Sequence, residues 1–249
     1  MANLYSVRNL RKVFNDGTLA LDDVSFELRE GELLVLSGPN GSGKTVLIKL
    51  LVNLHEGSGG TILYKDKPLS RWKDGIHREV GLVFQDSDAQ LVGETVEEDT
   101  RFGPENLGSK GAELEERVTR ALAEVGILHK RESRPAALSG GERRRLAIAG
   151  VLAMGVRTII MDEPYANLDW EGVRLVNESI LKLHKQGYTF LIVTHELEKI
   201  AGAAGRLGIM HKGRLKALGS PHEILDDNPE RFGVRDPRAA CASIGDCLW

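Results

Sequence analysis

Cysteine is nearly absent from this chain: Cys241 and Cys247, close together near the end of the sequence, are the only two. That excludes a small secreted scaffold stapled by disulfides. The pair also lacks the second set of nearby ligands that a structural metal site needs, so free thiols in a reducing compartment are expected. No apolar stretch approaches the roughly 18 residues that a membrane-spanning helix requires. Met1 to Tyr5 shows no charged segment followed by an apolar one, so no secretory leader is expected. Charge of one sign is not in excess either. The net charge is −3, which excludes a global basic field that would recruit nucleic acid or acidic lipid, and no nucleic-acid partner is expected. Internal repeats and low-complexity tracts are missing as well. What remains is the composition of a water-soluble globular protein, and 249 residues suffice for one large domain or two lobes on a shared core.

Glycine, by contrast, is placed with purpose. Residues 38 to 45 read Gly-Pro-Asn-Gly-Ser-Gly-Lys-Thr, a full match to the phosphate-binding loop G-x-x-x-x-G-K-[ST]. The apolar run Leu33 to Leu36 before it predicts a buried strand, and Val46, Leu47, Leu50, Leu51 and Leu54 after it predict a helix. Gly38, Gly41 and Gly43 let the backbone of the loop, which includes Asn40 and Ser42, bend its N–H groups toward phosphate oxygens. The helix beginning near Lys44 turns its positive end to the same anion. Lys44 is placed for the β- and γ-phosphates and Thr45 for Mg²⁺, so the ligand is a nucleoside triphosphate with magnesium.

Tyr5 and Val7, then Val24, Phe26 and Leu28, alternate with polar residues as strands do, with a turn at Asn15-Asp16-Gly17. Thr61–Tyr64 and Val80–Phe84 are further strands, with Lys65 to Pro68 as a turn. From 86 to 157 the strand signal stops. Leu114, Val118, Leu122 and Val125 fall at helical spacing, and 142–154 reads as an Arg-rich helix whose Arg143, Arg144 and Arg145 form a solvated or inter-lobe face. Trp72 and Trp170 are read as packing residues. Strands at Thr158–Met161, Phe190–Val193 and Leu207–Met210 then alternate with helices at Gly172–Lys185 and Glu196–Ala204, the pattern of a mostly parallel sheet covered by helices. The expected organisation is an α/β nucleotide-binding core with an antiparallel β subdomain (1–85 and 158–225), an inserted helical subdomain (86–157) and a short C-terminal extension (226–249).

Four features beyond the phosphate loop carry chemistry. The apolar strand Thr158 to Met161 delivers Asp162, which can hold Mg²⁺, and Glu163, which can polarise an attacking water. Leu138-Ser139-Gly140-Gly141-Glu142 opens a helix as an N-cap and a second anion site. His195 follows the strand ending at Val193 and can contact a γ-phosphate. Gln85 ends the strand before it, where its amide can reach Mg²⁺ and the water. The remaining histidines are scattered, which argues against a metal site for a transported solute.

The order of phosphate loop, Gln85, Leu-Ser-Gly-Gly-Glu, Asp-Glu and His195 resembles the nucleotide-binding domain of the ABC ATPases over about residues 3 to 225. The resemblance implies two subunits packed head to tail around two ATP molecules, with Ser139, Gly140 and Gly141 facing the γ-phosphate held by the partner's loop. Asn167-Leu168-Asp169 matches the segment that crosses that interface, and Phe14 lies where the family stacks an aromatic on adenine. Glu142 stands where glutamine is usual, Phe14 where tyrosine is usual, and Tyr165-Ala166-Asn167 departs from the common pattern. Val83 to Leu91, Thr95 to Asp99 and Phe102 to Leu107 resemble the ATPases of energy-coupling factor importers, which serve cobalt, nickel and vitamin uptake. The implied partners are a transmembrane coupling subunit, docked in a groove of this region, and a substrate-binding membrane subunit, with the chain peripheral on the cytoplasmic face of the membrane. Both halves of a composite site lie in one chain, which favours a homodimer over a heterodimer with a relative. A generic ABC import ATPase and a soluble ABC protein of DNA repair or translation are the alternatives. The latter usually has a long coiled coil or two cassettes, whereas here 94 residues (45 to 138) separate Lys44 from Ser139 without sustained heptads. A small-molecule kinase would leave Ser139-Gly140-Gly141 and His195 unexplained.

Overall fold

The computed structural model describes residues 2–72, 75–241 and 243–249; Met1, where the leader reading begins, Lys73, Asp74 and Ala242 lie outside the described residues. In chain order the elements are β1 (Asn3–Val13), β2 (Leu19–Arg29), β3 (Leu33–Ser37), α1 (Lys44–Leu51), β4 (Gly59–Tyr64), β5 (Lys67–Pro68), β6 (Val80–Val83), α2 (Val96–Asn106), α3 (Gly111–Glu124), α4 (Gly140–Ala153), β7 (Thr158–Asp162), α5 (Trp170–Lys185), β8 (Thr189–Val193), β9 (Arg206–His211), β10 (Arg214–Gly219) and α6 (Pro221–Asp226). Two sheets result: a four-stranded antiparallel one in the order β2-β1-β4-β5, and a six-stranded one in the order β10-β9-β3-β8-β7-β6. The larger is parallel except for β10, which returns antiparallel along β9.

The parallel strands are apolar through their middles because both of their faces are covered. Alternate residues serve two cores: Leu33, Val35, Ile159, Met161, Phe190 and Ile192 face the layer of α4 and α5. Leu34, Leu36, Ile160, Leu191 and Val193 face α1 and the antiparallel sheet. Helix α4 joins the two regions, packing on α2, α3, α5 and β6. Gly81 of β6 is where it comes closest, since a Cβ there would lie 2.0 Å from Val151 Cγ1. Gly81→Ala is therefore expected to lower unfolding stability by about 1–3 kcal/mol, the usual cost of overpacking a filled core, read as an earlier urea midpoint.

An ion-pair cluster ties the helices together. Glu97 on α2 receives Arg131 on both oxygens, at 2.6 and 2.7 Å, and Arg101 at 2.7 Å, and Arg131 also reaches Glu115 on α3 at 2.7 Å. The Arg131 hydrogen bonds pull the Glu97 carboxyl from its ordinary 4.5 to about 2. A depressed folded pKa gives stability that is present above the unfolded value and lost as pH falls from about 4.5 toward 2. Glu97 is a quarter exposed, so screening limits the expected effect to about 1 kcal/mol. Glu97→Gln is expected to cost stability at pH 6 and almost none near pH 2, checked by urea titrations at both.

Several sequence expectations are revised. The turn after β4 contracts to Lys65 and Asp66, both at positive φ, and Lys67–Pro68 pair back on β4 as a tight hairpin. Glu196–Ala204 is not an α-helix but two 3-10 turns, Leu197–Lys199 and Ala201–Ala203. The backbone groups a helix would need are taken elsewhere. The Lys199 carbonyl accepts from Asn177 Nδ2 and from Trp249 N–H, and Gly202 N–H donates to the Cys247 carbonyl. Residues beyond 226 are correspondingly less of an appendage than their composition indicates, with Val234, Ile244 and Cys247 buried in the α4–α5 core. Both cysteines are free, and burial pushes the Cys247 thiol up to about 12. Trp72 packs edge-on against Tyr64, but Trp170 is 62% exposed and is not a packing residue. Among the described residues no helix is long and apolar enough to cross a membrane.

Candidate functional site

The carboxyl ends of the parallel strands gather most of the predicted residues. Gly38 follows β3 so close to β9 that a Cβ would sit 2.1 Å from the Met210 carbonyl oxygen. Gly43 has φ +99° and would bring a Cβ within 2.7 Å of the Ala20 carbonyl oxygen. Only glycine fits either place without backbone movement. Helix α1 then starts with no side-chain cap among the described residues, leaving its first-turn N–H groups for an anion. Lys44 is buried, and its Nζ donates to the Gly38 carbonyl at 2.7 Å and the Pro39 carbonyl at 3.1 Å. Burial lowers its pKa, opposed by the nearby carboxylates of Glu163 and Asp162.

Strands β7 and β8 run side by side with Asp162 opposite Val193, and Glu163 N–H continues the ladder to the Val193 carbonyl at 2.7 Å. This bond holds Glu163 at φ +46°, a left-handed backbone that a long side chain adopts at a cost. The strained residue is thereby aimed at the end of β8. Glu163 Oε2 accepts the backbone N–H of His195 at 3.2 Å and lies 2.9 Å from its Nδ1. The carboxylate is buried, whereas the imidazole is half exposed. Asp162 sits beside the phosphate loop. Burial raises its pKa, and a hydrogen bond with the Thr45 hydroxyl works against that rise. Asp162 Oδ1 and Ser42 Oγ are buried without a hydrogen-bond partner among the described residues.

One cavity of about 400 Å³ is lined by Phe14, Asn40, Gly41, Ser42, Gly43, Lys44, Thr45, Gln85, Glu163 and His195, a volume suited to a small-molecule ligand. The Phe14 ring at its mouth has the Lys12 ammonium 5.1 Å from its centroid and His55 edge-on at 6.0 Å. A ring face, buried ammonium, carboxylate and imidazole thus converge on one space, the equipment for holding a nucleotide and activating a water.

Ser139, Gly140, Gly141 and Asp169 are not in that cavity. Gly140 lines a second one of about 370 Å³ with Asn167, Leu168 and Arg144, and Gln85 borders both. Ser139 caps α4: its Oγ accepts Glu142 N–H at 3.2 Å, and Glu142 Oε2 accepts Ser139 N–H at 2.8 Å. The glutamate in place of the usual glutamine therefore completes a capping box. Asp169 caps α5 through Gly172 N–H at 2.8 Å. Gly141 and Gly172 let the two helix starts meet, since a Cβ on Gly141 would be 2.7 Å from Gly172 Cα.

Of the solvated or inter-lobe face read at Arg143, Arg144 and Arg145, the solvated alternative fails for Arg144 and Arg145. Arg144 is 2% exposed and donates to the carbonyls of Phe84 and, at 2.6 Å, Gln85. Arg145 is buried and donates to the Val125 carbonyl at 3.0 Å. Arg144 thus fixes the backbone of Gln85 from the same helix that Ser139 opens, linking the two cavities. The sequence carries the signal: Leu146 to Ala153 is apolar on all sides, the mark of a buried helix, so Arg144 and Arg145 immediately before it share its enclosure.

The family model described as ABC transporter matches residues 21–166. The chain is 37% identical to the energy-coupling factor transporter ATP-binding protein EcfA of Methanocaldococcus jannaschii, over 91% of this chain and 83% of that protein. It is 42% identical to the energy-coupling factor transporter ATP-binding protein EcfA2 of Symbiobacterium thermophilum, over 92% and 81%. Among solved structures it is similar to cbiO1 from Clostridium perfringens, described as part of the ABC transporter complex cbiONQ. The TM-score is 0.86 at 31% identity, covering 96% of this chain and 98% of that one.

Proposed function

This chain belongs to the ABC transporter ATPases, and from that membership we propose that it is the ATP-hydrolysing motor subunit of an energy-coupling factor importer for a transition metal ion or a vitamin. Supporting the reading is the single cavity that unites Phe14, the phosphate loop, Gln85, Glu163 and His195, while Gly140 borders another. Phe14 stacks on adenine. The loop from Gly38 to Thr45 holds the phosphates, with Lys44 exchanging its carbonyl partners for phosphate oxygens.

The residues also fit magnesium, which takes oxygen ligands: Thr45, Asp162 with its unpartnered Oδ1, and Gln85 would hold it. Bound there with ATP, it would neutralise phosphate charge. Glu163 accepts the proton of the attacking water as the new oxygen–phosphorus bond forms and the bond from the γ-phosphorus to the bridging oxygen of ADP breaks. His195, anchored on Glu163 Oε2, contacts the γ-phosphate.

Ser139, Gly140 and Gly141 serve the γ-phosphate of a second subunit, and Asp169 lies at that interface. Both halves of the site in one chain favour a homodimer. Residues 1–85 and 158–225 act as the ATP-binding core, 86–157 as the helical subdomain that receives a membrane partner, and 226–249 as an extension. ATP closes the pair and hydrolysis reopens it, moving a transmembrane coupling subunit beside a substrate-binding membrane subunit, with this chain peripheral on the cytoplasmic face. Purification of the chain from its native membranes in mild detergent tests the assignment. Recovery with a helical coupling protein and a multi-span substrate subunit is expected. Recovery alone or with soluble proteins, where a control importer stays intact, overturns it.

A further inference from the structure

His195 and two glutamates form a cluster whose chemistry exceeds what ATP hydrolysis requires. Glu163, His195 and Glu196 each offer one ligand atom, and these atoms all lie within 4.8 Å of one another. The Glu163 Oε2 to His195 Nδ1 distance of 2.9 Å is already near the separation of two ligands about 2.0–2.2 Å from one ion. The third ligand is prepared separately. Glu196 engages Lys199 through Oε1, while its Oε2 is buried without a hydrogen-bond partner among the described residues. Lys199 lies behind Glu196 and the Lys44 ammonium is shared between Glu163 and Asp162, so three carboxylates against two ammoniums leave negative charge for a dication. The nitrogen donor is the discriminating feature: imidazole suits zinc, cobalt and nickel, whereas magnesium prefers oxygen. The cluster is also distinct from the oxygen set of Thr45, Asp162 and Gln85.

We infer that Glu163, His195 and Glu196 form an inhibitory site for a divalent transition-metal ion. The ion takes the place of the contact between Nδ1 and Oε2, any proton held there passing to solvent, and ties up the Glu163 oxygen that would accept a proton from water. Nucleotide binding at the phosphate loop is untouched while hydrolysis stops, and a chelator reverses the effect. Metal binding itself stands on geometry alone; only the inhibition rests on the proposed role of Glu163.

The test uses the full chain without nucleotide, titrated with CoCl₂ and followed by the visible absorption of bound cobalt, then with ZnCl₂ by calorimetry. One ion per chain is expected. Glu196→Gln, which keeps the oxygen toward Lys199, and His195→Ala are each expected to weaken it about 10- to 100-fold. Cys241→Ser/Cys247→Ser is expected to leave it unchanged, and Glu196→Gln to retain magnesium-dependent hydrolysis that zinc no longer stops. No cobalt band, binding unchanged in both Glu196→Gln and His195→Ala, or binding lost with the cysteines overturns the site. Binding that follows the two variants but leaves hydrolysis intact removes the inhibition and calls the role of Glu163 into question.

Discussion

Glu163→Gln is expected to reduce steady-state ATP hydrolysis about 10²–10⁴-fold, the usual contribution of a positioned general base, while ATP binding stays within a fewfold of the parent. The substitution is nearly isosteric, and the features that place the side chain are backbone ones. The Glu163 N–H to Val193 carbonyl bond and the φ of +46° do not depend on the carboxylate. An amide oxygen still accepts the His195 N–H that now reaches Oε2. What disappears is the basic lone pair, so the proton of the attacking water has no acceptor. The nucleotide-bound form should then accumulate, seen as a slowly dissociating dimer in size-exclusion chromatography with ATP and magnesium. Parent-like phosphate release by a folded Glu163→Gln protein would remove Glu163 from the role of base. Loss of both binding and turnover would instead assign it to holding the nucleotide.

The strands that position Glu163 were legible because Ile159–Met161 and Phe190–Val193 are unbroken apolar runs. Thr158–Asp162 and Thr189–Val193 are buried on both faces, and the shortness of their apolar runs and the polar turn residues beside them favour a strand over a buried helix. Strand β10 escaped notice because Arg214–Gly219 carries lysine and arginine on an edge only half covered. Helix α2 carries its own signal, since Thr95 and Glu98 form a capping box ahead of Val96, but Pro104 inside the helix obscures its continuation. Glu196–Ala204 failed for a different reason. Its helical propensity is real, but Asn177, Cys247 and Trp249 claim its backbone from far along the chain. Local pattern cannot register competition of that kind.

The same limit applies to the site. The phosphate loop, Asp162 and Glu163 could be located from contiguous residues, because each sits at a strand end that the sequence marks. Arg144 could not be assigned to Gln85, since the two are 59 residues apart and meet only when α4 packs on β6. Nor could the local cost of altering the signature segment Leu138-Ser139-Gly140-Gly141-Glu142 be foreseen. Ser139 is both a helix cap and a candidate γ-phosphate ligand, so Ser139→Ala also removes an N-cap worth about 1 kcal/mol. A loss of activity in that variant would be ambiguous.

Gly140→Asp separates the two roles, and its mixture with Lys44→Ala is the second large expected effect. A Cβ on Gly140 meets the end of the Leu168 side chain at 3.1 Å and the Asn167 carbonyl oxygen at an ordinary 3.7 Å, so α4 can keep its start while a carboxylate is placed against an incoming phosphate. Each variant alone should hydrolyse ATP at a few per cent of the parent rate or less, since a misplaced charge or a lost phosphate contact commonly costs about 10²-fold or more. In the proposed two-fold dimer each site would take its phosphate loop from one subunit and its Ser139-Gly140-Gly141 segment from the other. The mixed dimer therefore restores one intact site, built from the loop of the Gly140→Asp chain and the signature of the Lys44→Ala chain. Random exchange makes half of the dimers mixed, each with one of two sites intact, so an equal mixture should recover about a quarter of the parent rate if the sites act independently. Native mass spectrometry of tagged chains counts the mixed species. Mixed dimers without recovered hydrolysis would show that one intact site cannot turn over or that the site is not shared. Repeating the mixture with Gly140→Asp and Lys44→Ala on the same chain, beside a parent chain, decides between these. That mixed dimer has no intact composite site, yet a site confined to one chain would still work in its parent subunit. Activity there beyond that of the parent homodimers present would place the whole site in a single chain, and its absence would leave one intact site insufficient for turnover.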